Sequence, residues 1–414
     1  MWDIFIDFFV AFYNHPDFLK YISIPFVAAF VGWMTNWVAI QMTFYPVNFV
    51  GIPPFLGWQG IIPAKGEKMA GIVVENTLTR ISTIQEIFQE FEPTAIAHHI
   101  LKTADDRIEE FTDDIMIEQN DVLWENLPNI MKKRVYARAK QKLHKITDHL
   151  MADIQLHIAD LVDPKELVVK ELTRDKSMLN RVFQECGEAE FKFIINSGLV
   201  FGFIFGIIQM FAWYHWEQSW LLPAFGLLVG VATNWLALRL IFQPLNPIYL
   251  FGFKIHGLFL SRQDAVAEVF CRIMTAEVLT VSVVMNEIFL GSKADQTHAL
   301  IKKNLRPLFE DSIIRNIMHL TVGNEGMSSF KEQVGNKTIK IALESIENPR
   351  FTRERGLVIE KMFRERMQAM TSEEFQDLLR PAFQEDEWIL IAVGGALGLA
   401  AGFGQLFIMF AGVT

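Results

Sequence analysis

The sequence predicts an all-α integral membrane protein with four transmembrane helices and two helical cytoplasmic lobes, built as a tandem parallel repeat. Three observations lead there. Four stretches are long enough to cross a bilayer, which needs about 20 apolar residues. A Gly-x-x-Thr-Asn-Trp pattern occurs twice, around Asn36 and Asn234. The polar regions between the spans carry apolar residues at helical spacing.

Composition narrows the classes. The chain has 414 residues, 51% of them hydrophobic, and a mean hydropathy of +0.23. It is too apolar for an ordinary soluble enzyme and too polar for a transporter made of spans alone. A charged fraction of 21% argues against disorder. A net charge of -10 argues against a nucleic-acid binder driven by bulk charge. Cys186 and Cys271 make neither a disulfide framework nor a four-thiolate zinc site.

Residues 1–20 read as an N-terminal interfacial segment. Asp3 and Asp7 stand among Trp2, Phe5, Phe8, Phe9 and Phe12, unlike the basic start of a signal peptide. Residues 2–13 are either a short helix lying in the interface or an extension of the first span. The spans follow at 21–45, 193–213, 220–242 and 388–413, and the first and last contain no charge. The second and third are joined only by Tyr214 through Ser219, so they form a helical hairpin. The polar regions are 46–192 and 243–387.

Orientation follows from Lys and Arg. Residues 45–192 and 243–387 carry 18 each, and outside them only Lys20 and Arg239 are basic. The positive-inside rule places both polar regions in the cytoplasm and both termini outside. A reducing cytoplasm leaves both cysteines as thiols.

The repeat extends beyond one motif. Gly32 through Asn48 matches Gly230 through Asn246 at an offset of 198. Gly198, Gly202, Gly206 and Gln209 match Gly394, Gly398, Gly402 and Gln405. Each half reads as span, polar region, span, which gives both halves one orientation and predicts a pseudo-twofold axis along the membrane normal.

Within the first lobe, Val135, Ala139, Leu143, Ile146, Leu150, Ile154, Ile158 and Leu161 form one apolar stripe. Pro128 and Asp163-Pro164 bound this helix, which spans roughly 50 Å. Its first half is basic, and the segment before it, Asp105 to Glu125, is acidic. Either the two helices pair and neutralise each other, or the basic face meets anionic headgroups. Lys65, Lys68, Lys132, Lys133, Arg134, Arg138, Arg239 and Arg262 are the candidate headgroup contacts. Aromatic, Pro/Gly-rich stretches after spans one and three read as interfacial loops with room for a short β-pair.

The Gly-x-x-Thr-Asn-Trp-x-Ala pattern with its following Phe-x-Pro resembles the YheB/YjiN-like bacterial membrane proteins, catalogued as a domain of unknown function, family 445. So do Gly60-Ile61-Ile62-Pro63-Ala64-Lys65 and the run from Arg380 into the Gly-x-x-x-Gly span. The resemblance covers nearly all of the chain after residue 20. It implies a bacterial plasma-membrane protein with a helical cytoplasmic portion, and no particular activity. The second half departs from it at Gly257-Leu258-Phe259-Leu260, which lacks the proline.

Thr35, Asn36, Thr233 and Asn234 lie within spans, where lipid offers no hydrogen-bond partner. They are either interhelical glue, worth about 1 kcal/mol per bond, or a substrate or ion site between the halves. Gly198, Gly202, Gly206, Gly394, Gly398 and Gly402 fall four apart on one face, a packing pattern. Glu190, Asp386 and Glu387 sit where acids favour helix N-termini. His149, Asp153 and His157 have a spacing metal ligands can share, but a lobe-facing or solvated edge is the plainer reading. No catalytic motif is present, and no cofactor, metal or nucleic acid is expected. Three readings remain: a membrane scaffold or assembly protein whose lobes meet lipid, a protein partner or a second copy; a lipid-handling protein or transporter using the interface between the halves; or a membrane enzyme built on Arg380, Asp386 and Glu387.

Overall fold

The computed structural model describes residues 10, 12–52, 56–250, 253–312, 314–316, 327–384 and 387–409. The expected interfacial segment 2–13 lies almost entirely outside these, as does the end of the fourth span.

Four helices are long and apolar enough to cross a membrane: α1 (Phe18–Phe44), and three introduced below in chain order. After α1 comes an antiparallel hairpin, β1 (Val50–Ile52) with β2 (Leu56–Trp58). Then follow α2 (Ile61–Ala64) and α3 (Gly66–Val73), which runs into a π-turn at Val74–Leu78. Helix α4 (Ile84–Glu90) starts at a capping box, with Thr83 and Glu86 each bonding the other's backbone N–H. Helix α5 (Pro93–Glu125) opens on a proline, whose missing N–H costs nothing at that position. Helix α6 (Asn129–Leu161) has the predicted bounds, between Pro128 and Asp163-Pro164. Next are α7 (Pro164–Arg174), α8 (Lys176–Cys186) and the second apolar helix, α9 (Glu188–His215).

The second half has a similar order of elements. The third apolar helix, α10 (Leu221–Phe242), leads to a hairpin of β3 (Ile248–Leu250) and β4 (Phe253–Ile255). Helix α11 (Leu258–Ser261) and α12 (Gln263–Ile273) follow, then a π-turn at Met274–Val278. The polar helices are α13 (Val281–Leu290), α14 (Ala294–Phe309), α15 (Met327–Ile346), α16 (Pro349–Gln368) and α17 (Ser372–Gln384). The fourth apolar helix is α18 (Glu387–Met409). The bent pair Gln263–Val278 with Val281–Leu290 passes the same length and apolarity test only when counted as one. Helix α9 starts five residues before the apolar stretch, because Glu188 and Glu190 suit a first helical turn.

The chain forms two compact units, and each draws on both halves. In the first, α1 packs along α9 and α10 along α18, with α9–α10 and α1–α18 contacts closing the bundle. Helices α2, α3, α8, α11 and α17 pack at the ends of α1 and α10. Away from these, Phe12, Tyr21, Ile24, Trp213, Leu222 and Leu406 form one apolar cluster, and the Tyr21 hydroxyl donates to Glu217.

The second unit, Leu78–Glu171 with Cys271–Arg366, draws on both polar regions, where the sequence suggested one lobe in each. Helix α5 packs on α6 as a hairpin, but α5 also packs on α15, and α6 on α14. An amphipathic stripe must be covered by another element. Here the cover comes from the other half of the chain. The stripe of α6 is buried at Val135, Ile146, Leu150, Ile154, Ile158 and Leu161.

Candidate functional site

The two Thr-Asn pairs are engaged in the same way, each within its own half. Asn36 Nδ2 donates to the Ile194 carbonyl at 2.6 Å, and Asn234 Nδ2 to the Leu390 carbonyl at 2.7 Å. Thr35 and Thr233 donate one turn back, to Gly32 and Gly230. All four are buried, and the Oδ1 atoms of both asparagines have no partner among the described residues. The two pairs share no hydrogen bond with each other. The glycines explain how the carbonyls come within reach. A Cβ on Gly198 would fall on the Gly32 carbonyl oxygen, and a Cβ on Gly230 on that of Gly394. Gly202 and Gly206 meet the backbone of Ala28 and Pro25; Gly398 meets Gly226, and Gly402 meets Leu222. Only glycine allows such backbone approach.

At the polar ends of these apolar helices a second set of matched amides appears. Asn180 donates to the Phe44 carbonyl at 2.7 Å, and Gln376, with its amide so oriented, to the Phe242 carbonyl at 3.0 Å. These two residues are related by the offset that relates the glycine triplets, 196, and that signal was available in the sequence. Around them the charges differ between the halves. Arg262, one of the candidate headgroup contacts, is engaged by a carboxylate: its Nη1 lies 3.0 Å from both oxygens of Glu190, which is 3% exposed. Glu190 thus does more than favour a helix N-terminus. Arg239 donates to Gln243 at 3.0 Å and lies over the Trp235 ring. Arg239, Arg380 and Glu387 line one pocket of about 160 Å³. Asp386, the third member of the expected cluster, lies outside the described residues. Lys65 is half-buried and Lys68 exposed. Trp37 and Trp235 both face outward.

In the second unit the middle of the basic run on α6 meets carboxylates. Lys140 and His144 approach Asp105 at 3.3 and 3.4 Å, and Arg138 and Lys142 approach Asp311 at 3.8 and 3.6 Å. Lys132 lies over the Trp124 ring, whereas Lys133 and Arg134 are exposed. Asp153 accepts from Asn304 and Lys303, which hold its carboxyl below the usual range. His157 faces Asp160. Among the described residues no group of three His, Cys, Asp or Glu is placed to hold a metal ion.

Two further features of this unit were not legible beforehand. Trp124 Nε1 and the Tyr136 hydroxyl both donate to Asp113, which pins the turn between α5 and α6. Burial, then the Asp113 carboxylate, raises the Tyr136 hydroxyl pKa well above its ordinary value. The pinned turn leaves Val122, Leu123, Ile130 and Met131 exposed beside Lys133 and Arg134. Separately, an apolar cavity of about 110 Å³ lies among α5, α6, α14 and α15, walled by Phe111, Leu143, Phe309, Phe330 and Val334. Among the described residues, Lys337, paired with Asp114, is its one charged wall residue.

No protein-family model matches the chain, and no curated protein or solved structure matches it.

Proposed function

We propose that the chain is a YheB/YjiN-like protein of the bacterial plasma membrane, a tandem parallel repeat with both termini outside and both polar regions in the cytoplasm. In this reading it is a non-enzymatic scaffold, and the turn between α5 and α6 docks a protein partner. The observation that carries it is the pinned turn, where Val122 is 64% and Ile130 70% exposed next to two exposed bases. A contiguous apolar patch with a polar rim marks an interaction surface. The span pairs support the anchoring role, because their interior amides and glycines are used to lock each pair. The matched order of elements and of amide bonds in the two halves supports the repeat.

The test is a photo-crosslinker placed at Leu123, at Ile130 and, as control, at Leu156, which is exposed farther along α6. Defined protein adducts from the first two positions and none from the third are expected. Lipid adducts alone, or equal adducts from all three, would refute docking at this turn.

A second reading, a lipid-handling protein, is favoured by the cavity among α5, α6, α14 and α15. Its walls come from both halves, and an apolar pocket with few polar groups is the usual form of a small-molecule site. Native mass spectra decide between them: a retained acyl-chain adduct, lost in Val334→Trp, would favour this reading over the scaffold.

A further inference from the structure

We propose that the pocket at the polar end of α10 is a site for one phosphodiester of an anionic membrane lipid, held by Arg239 and Arg380, and that the first half has no such site. The proposal rests on the reading of α10 and α18 as membrane spans.

The pocket has a charged rim and an apolar floor. Arg239, Arg380, Gln243 and Glu387 supply the rim, and Trp235, Leu238 and Phe242 the rest. Neutral amides orient both guanidiniums: Arg239 Nε donates to Gln243 at 3.0 Å, and Arg380 Nη1 to the Gln376 oxygen at 2.5 Å. A neutral partner fixes direction without cancelling charge. Among the described residues neither guanidinium is paired with a carboxylate. Two guanidiniums and Glu387 leave the described rim one positive charge in excess, which matches one phosphodiester. A guanidinium fork fits phosphate oxygens in two-point contact. Trp235, two turns before the end of α10, is 45% exposed and gives the pocket an aromatic wall. The apolar floor favours a lipid over free phosphate.

The first half is an internal control. Counterparts of Arg239 and Arg380, by the repeat offsets, are Gln41 and Gln184. The corner is otherwise built alike: Asn180 holds the Phe44 carbonyl as Gln376 holds that of Phe242. Gln184 reaches Tyr45, the counterpart of Gln243, at 3.3 Å. Phe191 stands where Glu387 stands and packs edge-on against the Phe44 ring. This corner therefore folds without either guanidinium, so their presence in one half calls for a ligand rather than for a packing role.

The test uses the full chain in native mass spectrometry, offered phosphatidylglycerol or phosphatidylcholine of the same acyl composition, with or without millimolar inorganic phosphate. One phosphatidylglycerol per chain is expected on the wild type. Retention should fall at least about tenfold in R239Q/R380Q, a loss of one decade in affinity. Glutamine is what the first half tolerates at both places, and the single variants R239Q and R380Q, each expected to weaken retention, keep the test open if the double variant is unstable. Equal retention by the variants, equal retention of phosphatidylcholine, or displacement of the lipid by inorganic phosphate would overturn the proposal; the last would mark a soluble phosphate ligand. Resistance of the chain to extraction by alkaline carbonate is read separately. A resistant chain without the adduct refutes the site and leaves the span reading intact.

Discussion

Arg262 Nη1 lies 3.0 Å from both carboxylate oxygens of Glu190, and this ion pair joins the two halves of the chain, with the Glu190 side chain buried and that of Arg262 34% exposed. Glu190 opens α9, the closing span of the first half, and Arg262 follows α11 in the second. Breaking a fully buried pair from one side strands a charge at a cost of about 3–5 kcal/mol, and solvent at the 34% exposed Arg262 lowers that cost. Arg262→Met should therefore destabilise the protein by about 1–3 kcal/mol. Glu190→Gln with Arg262→Met should recover most of the loss, because neither charge is then left alone. Denaturation in detergent of the single and double variants measures both; a double variant as unstable as Arg262→Met alone would show that the pair does not matter as a pair.

The close span pairs predict an order of severity. Gly230→Ile would drive a side chain onto the Gly394 carbonyl and should cost about 1–3 kcal/mol or more, as overpacking does. Asn234→Leu removes one interhelical bond worth about 1 kcal/mol, but it also removes the unpartnered Oδ1. It should be the milder change. Thermal melts of both settle the order, and a reversed order would mean that amide bonding rather than backbone approach holds the pair.

Much of this was legible in the sequence, and what was missed has a physical reason. Hydropathy marks the four long apolar helices because a run of about 20 apolar residues needs no partner to be seen. The glycine triplets were readable because close approach needs glycine at fixed spacing. The stripe from Val135 to Leu161 revealed that a face is buried, but not that α14 of the other half would cover part of it. Periodicity carries no information about the partner. Likewise the position of Glu190 suggested a helix start and concealed Arg262, 72 residues away. The roles of Asn180 and Gln376 could have been found by carrying the repeat offset past the glycines.

Acid should weaken the second unit through Glu86. Its hydrogen bonds with Arg366, Ser82 and the Thr83 N–H lower its carboxyl from 4.5 to about 2. A depressed carboxyl stabilises the fold fully above its unfolded pKa and loses that contribution as pH falls through the folded value. The Glu86 contribution should thus fade between pH 4.5 and about 2. Unfolding midpoints across that window should be less pH-dependent in Glu86→Gln than in the wild type. An identical slope would remove Glu86 as a source.

Cys271 should resist alkylation in the folded protein. Burial, chiefly, pushes its thiol up to about 12, so little thiolate forms near neutrality. Maleimide should modify it only on unfolding. Rapid labelling of the folded chain at Cys271, mapped by peptide mass, would contradict the buried placement.

The central claim is that four spans hold both polar regions on the inner side of the membrane. The direct measurement is labelling of intact cells with an impermeant maleimide, on a chain lacking its two cysteines and carrying one new one. Ser219→Cys, in the short link between α9 and α10, should label from outside, and Glu125→Cys, at the exposed end of α5, only after the membrane is opened. Labelling of Glu125→Cys in intact cells, or protection of Ser219→Cys there, would contradict the arrangement.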